Sequence, residues 1–292
     1  MSKKIIKQLA KILISVGLLY LVYTKIEFGS LISLYKTADP LLMAFAIILF
    51  VLSQMISSIR LTYIFHSHSL HISQLSNLKL YFVGMFYNFF IPGGIGGDAY
   101  KIYLLKNKFN WSVKLLTKII LLDRLLGLIA ICCISALLAS NLFFNSWEFL
   151  ILGIVVAILL YWIARSIFKI FDNDIKKYYA KAFFYSIIIQ LLQVSSVLLI
   201  LGSIRVETLN FLGYGLVFLI SSVASVISFS GFGIREYIFL KSAEFLGTEE
   251  IISTSIGFTF NLITSLISLI GIIFILTKLK LHLQPLTKNH EN

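Results

Sequence analysis

Long apolar runs separated by short polar segments set the pattern of this chain. Six runs, at 8–24, 41–65, 115–140, 147–170, 182–204 and 251–277, match the roughly 18 to 20 residues that a helix needs to cross a bilayer. Two further apolar regions, 77–106 and 209–243, are interrupted. The first holds Pro92, Gly93, Gly94, Gly96, Gly97 and Asp98; the second holds Ser230, Gly231, Gly233, Arg235 and Glu236. No regular helix is expected through either, because proline removes a backbone donor and each glycine weakens a helix interior. In lipid, open backbone survives only when buried in protein or lining a wet cavity. Each break reads as the tip of a re-entrant hairpin, with two complete crossings, and so eight spans, as the alternative.

A shift of 137 residues places Gly94 on Gly231, Gly96 on Gly233, Asp98 on Arg235 and Tyr100 on Tyr237. Glycine-broken segments in matching positions of two halves point to a transporter's binding site. The expected fold is an all-α polytopic membrane protein with six full spans and two hairpins. It divides into a first repeat over 1–141 and a second over 142–292, within one membrane domain. Three full spans per half make the repeats inverted.

Charge supports this layout. With the N-terminus inside, the inner segments carry eighteen of the 25 lysines and arginines and the outer segments five. That bias follows the positive-inside rule and places both termini in the cytoplasm, in the cell membrane. The net charge of +12 sits beside apolar runs, which suits topology and anionic lipid headgroups rather than nucleic acid. A hydrophobic fraction of 59% and a charged fraction of 13% exclude an ordinary soluble domain. Lys3, Lys4, Lys7 and Lys11 precede the first apolar run as in a signal peptide, but no small-residue cleavage site follows, so an uncleaved helix is expected. Cys132 and Cys133 are adjacent in an apolar run and imply neither a disulfide framework nor a metal site.

Charges inside spans are costly and face a cavity or a partner. Arg60 follows Ser53, Gln54, Ser57 and Ser58, whose spacing gives one polar helix face; snorkelling to the interface is the competing reading. Asp123 and Arg124 are neighbours on one helix, so each is expected to pair elsewhere. Asp98 is placed to cap the helix after Gly97, and a helix start with Lys101 one turn on favours a phosphate. Arg235 and Glu236 occupy the matching place in the second half. Asp98, Lys101, Arg235 and Glu236 together suit a headgroup of mixed charge.

Gly94 to Ala99 formally matches G-x-G-x-x-A, but Phe82 to Phe90 reads as a helix rather than the strand a dinucleotide fingerprint needs. His66, His68 and His71 are expected at an interface rather than on a metal. Glu249 and Glu250 suit the start of the last span. No nucleophile and base stand at a catalytic spacing, and no cofactor is implied.

The motif N-x-x-x-P-G-G-x-G-G-D-x-x-[RK] from Asn88 to Lys101, D-R-x-x-G at Asp123, and S-x-x-G-x-G-x-R-E ending at Glu236 resemble the membrane domain of the lysylphosphatidylglycerol synthase/flippase family. The resemblance covers nearly the whole chain. It implies a fold that moves a phospholipid, such as an aminoacylated phosphatidylglycerol, between leaflets. It also implies substrate contacts at Arg60, Asn88, Gly94, Gly96, Asp98, Lys101, Asp123, Arg124, Gly231, Gly233, Arg235 and Glu236. Lys101 stands where the family has arginine, and Val226 where the second motif often has proline. The family's soluble aminoacyl-transfer domain has no counterpart among these apolar segments, so synthase activity is not expected. The expected partners are membrane lipids and a separate lipid-modifying synthase. The rival readings are an ion-coupled transporter of a small solute, a membrane-embedded enzyme on a lipid-linked substrate, and a non-transporting partner of a synthase.

Overall fold

The computed structural model describes Tyr20 and residues 34–90, 96–144, 147–172, 174–205, 210–225, 232–277 and 279–284. The first expected span, 8–24, lies almost wholly outside the described residues, as do Pro92, Gly93, Gly94, Val226 and Gly231. Eleven helices carry the described fold: α1 (Pro40–Ser67), α2 (Gln74–Phe90), α3 (Gly96–Phe109), α4 (Val113–Phe144), α5 (Trp147–Phe171), α6 (Ile175–Ser203), α7 (Phe211–Ala224), α8 (Ile234–Lys241), α9 (Ala243–Leu246), α10 (Glu250–Ser268) and α11 (Ile270–Leu276). Among the described residues, five segments are long and apolar enough to cross a membrane: α1, α4, α5, α6 and α10 continued by α11. The protein is an all-helical, polytopic integral membrane protein.

α1 and α6 form the central pair. Asp39 caps α1, its carboxylate accepting from the Leu41 and Leu42 N–H groups at 2.8 and 3.3 Å, with Pro40 at the first helical position. From there the two helices run antiparallel. The Asp39 N–H donates to the Ser203 carbonyl, Ser196 Oγ to the Ala46 carbonyl, Gln193 Nε2 to Ser53 Oγ, Arg60 to Ser186 Oγ, and the Tyr63 hydroxyl to the Lys177 carbonyl. Small hydroxyl side chains let membrane helices approach closely and bond across the seam. The polar face expected on α1 is therefore a packing face for the most part: Ser53, Ser57 and Ser58 are all buried.

α4 packs along α5 and also meets α6 and α7. At 32 residues α4 spans about 48 Å, more than the roughly 30 Å hydrocarbon core, so it tilts or projects. α5 turns most of its apolar side chains outward, as a lipid-facing helix must. α6 begins seven residues before the expected start at 182, taking Lys176, Lys177 and Lys181 into its first turns.

The two interrupted regions are helical hairpins. On α2 and α3, Gly84 lies against Lys101 and Asn88 against Gly97, so position advances on one helix as it falls on the other. On the second hairpin Phe218 of α7 lies under Arg235 of α8. α3, α7 and α8 span only about 21, 21 and 12 Å. The last span runs through Leu269, whose backbone stays helical, from α10 into α11, and α11 packs against α2.

Candidate functional site

The buried charges fall into two groups. The first gathers around α3 and α4. Arg60 of α1 grips Asp123 of α4 in a bidentate pair, Nε to Oδ1 at 2.7 Å and one terminal nitrogen to Oδ2 at 3.0 Å, while the other terminal nitrogen donates to Ser186 at 2.7 Å. Arg60 is only 6% exposed, so it is an interhelix strut and does not snorkel. Asp123 and Arg124 do pair elsewhere: the partner of Arg124 is Asp98, on α3. Asp98 also lies 3.7 Å from Lys101 Nζ, whose charge sits 4.4 Å over the Tyr81 ring. Asp98 is in the first turn of α3, where the helix dipole favours an acid, and its carboxylate serves Lys101 and Arg124.

The start of α3 is served by Asn88 instead. Its carboxamide oxygen accepts from the Gly97 N–H at 2.8 Å, so a side chain of α2 satisfies an open donor of the next helix. Gly97 is required there, because a Cβ would collide with the Gly84 carbonyl oxygen.

The second group gathers around α8. Gly233 takes φ +83°, in the left-handed region that favours glycine. The Glu236 carboxylate reaches back to accept from the Gly233 N–H at 2.7 Å, closing the start of α8. Its other oxygen accepts from Asn261 Nδ2 at 2.8 Å, and Asn261 Oδ1 accepts from Arg235. The Arg235 guanidinium lies 4.8 Å from the Phe260 ring centre and 5.5 Å from that of Phe218. Among the described residues no carboxylate is within ion-pair distance of Arg235, and its buried Nε has no acceptor.

A cavity of about 310 Å³ opens between the two hairpins and the central pair. Its polar lining includes Gln54, Asn88, Gln193, Ser222, Arg235 and Thr264, with Phe50 and Phe260 among its apolar walls. Of the site residues expected from sequence, the cavity brings together Arg235 and Asn88. Arg60, Asp98, Lys101, Asp123, Arg124 and Glu236 are outside its lining, and Tyr81 stands between, touching the cavity on one side and Lys101 on the other. Gly96 and Gly233 serve as helix starts. Gln193 and Asn261 escaped the sequence reading. Their signal was present: a carboxamide in an apolar span is costly unless partnered.

A third polar group ties helix ends. Asp172, 2% exposed, accepts from Lys118 Nζ and His68 Nε2 at 3.0 Å each and from the Tyr178 hydroxyl, joining α4, α1 and α6. Burial pushes its carboxyl up, but the bonds from Tyr178 and Lys118 and the charge of His68 outweigh that and hold it below the usual carboxylate range. Donor atoms of His68, Asp172 and Asp174 lie within 4.8 Å of one another. Both Asp172 oxygens already accept hydrogen bonds there, so the cluster reads as a knot between helices.

The isolated bridge between Ile72 and Leu283 is the only strand-like pairing among the described residues, and Phe82 to Phe90 lies within helix α2, as the rejection of a dinucleotide fingerprint requires. Glu250 sits in the first turn of α10 as expected. A search of curated proteins gives no match. The family model described as the lysylphosphatidylglycerol synthase TM region matches residues 8–274, so the chain belongs to that family of membrane regions.

Proposed function

We propose that the protein moves a phospholipid between leaflets, the headgroup passing through the cavity between the two hairpins while the acyl chains stay in the bilayer. The observation that carries this reading is the cavity itself: a polar space walled by both hairpins and lined by a buried arginine that has no carboxylate within ion-pair distance among the described residues. Family membership ties the membrane protein to lysylphosphatidylglycerol metabolism.

The packing supports an inverted repeat over 1–141 and 142–292. α2 packs on α3 as α7 packs on α8; α1 on α2 as α6 on α7; and α2 meets α11, the end of the second half's last span, as α7 meets α4. α3, α7 and α8 are each too short to cross the hydrocarbon core, which favours re-entrant hairpins. In this reading both termini are cytoplasmic, the hairpins enter from opposite leaflets, and translocation involves no covalent step.

The test is a transbilayer assay in reconstituted vesicles with acyl-labelled phosphatidylglycerol and an impermeant quencher. Purified protein is expected to expose inner-leaflet label faster than protein-free vesicles, and Arg235→Ala to lower that rate about tenfold or more, the worth of one charged hydrogen bond. Equal rates with and without protein reject the reading.

A further inference from the structure

We propose that the cavity selects an anionic, hydroxyl-bearing headgroup of the phosphoglycerol type and disfavours a cationic, aminoacylated one. This rests on the lipid-translocation reading. Arg235 is the one charged residue among the described residues that line the cavity. The other polar groups there are amides and hydroxyls, which suit phosphate oxygens and glycerol hydroxyls but bring no negative charge.

The acids nearby are already engaged. Both oxygens of Asp123 are held by Arg60, Asp98 is shared by Lys101 and Arg124, and both oxygens of Glu236 are taken by Gly233 and Asn261. A lysyl ammonium entering this space would leave water without a counter-charge and face Arg235, which is repulsive.

A phosphate meets the opposite situation. Arg235 is 7% exposed and lies beside two aromatic rings, with Asn261 holding one terminal nitrogen. Its Nε lacks an acceptor among the described residues. A guanidinium that lines the cavity offers a phosphate oxygen a charged donor. The volume of about 310 Å³ is at the lower end for ligand pockets, so a small headgroup fits and an oligosaccharide does not.

The experiment reconstitutes the full chain in phosphatidylcholine vesicles and compares two acyl-labelled tracers, phosphatidylglycerol and lysylphosphatidylglycerol, with uptake of radiolabelled glycerol 3-phosphate as a third arm. Phosphatidylglycerol is expected to cross about tenfold faster than its lysyl ester, the size of one charged contact. Ser222→Asp places a carboxylate in the cavity and is expected to shift the ratio toward the lysyl ester, a gain that misfolding cannot produce. Lysyl ester moving as fast as phosphatidylglycerol overturns the selectivity and leaves the lipid reading intact. An unchanged ratio in a Ser222→Asp protein that still transports also overturns it. Uptake of glycerol 3-phosphate without movement of either lipid overturns the lipid reading and keeps the anionic class. All three arms at protein-free rates overturn both.

Discussion

The two hairpins handle buried charge in opposite ways. Around α2–α3, Arg60 has Asp123, and Lys101 and Arg124 share Asp98. Around α7–α8, Arg235 has an amide and two aromatic rings, while Glu236 is spent on a helix start. Positions that superpose by a simple shift in sequence, Asp98 and Arg235, thus do different work. A charge closed by a carboxylate is a strut, and its electrostatic reach is largely cancelled. A charge held by neutral groups keeps its field and faces the cavity with it.

The largest expected effect comes from opening the closed side. Asp123→Ala leaves Arg60 buried and unpaired, and is expected to cost about 3–5 kcal/mol, read as a steep loss of thermal stability in detergent. A midpoint unchanged by this substitution would mean that the first group is no more closed than the second.

Acidification probes the same closed logic at the helix ends. The carboxyl of Asp172 titrates below its unfolded value of about 4. Its stabilisation is therefore full above that value and is lost as pH falls through the lower, folded-state value. Thermal midpoints measured from pH 6 downward are expected to drop below about pH 4. Asp172→Asn is expected to remove part of that dependence and to cost about 1–3 kcal/mol at neutral pH.

The smallest effect on stability is expected on the open side. Arg235→Gln removes a buried cation that has no carboxylate within ion-pair distance among the described residues, so the thermal midpoint is expected to move by no more than about 2 °C, while transport falls. A large loss of stability would show that the arginine is a strut after all, and the contrast between the hairpins would disappear.

Much of the helical layout was legible in the chain because apolar runs of membrane length admit few alternatives. The starts and stops were less so. α6 begins at Ile175 because three lysines do not interrupt a helix whose charged turns leave the apolar layer. The charged residues of the site were legible one by one, since charges in spans are conspicuous. Their pairing was not. Nothing in sequence distance brings Arg60 to Asp123 or Arg124 to Asp98, and the serines near Arg60 serve a seam as readily as a wet face. Gln193 and Asn261 drew no notice beside the charges, yet one lines the cavity and the other holds Arg235.

The seam between α1 and α6 bears on how the cavity can open. Five cross-links, from Asp39–Ser203 at one end to Tyr63–Lys177 at the other, follow a single antiparallel register. A slide of one helical turn would part all five together. Access from either side is therefore cheapest when these two helices stand still as a common post and the short hairpin helices do the travelling.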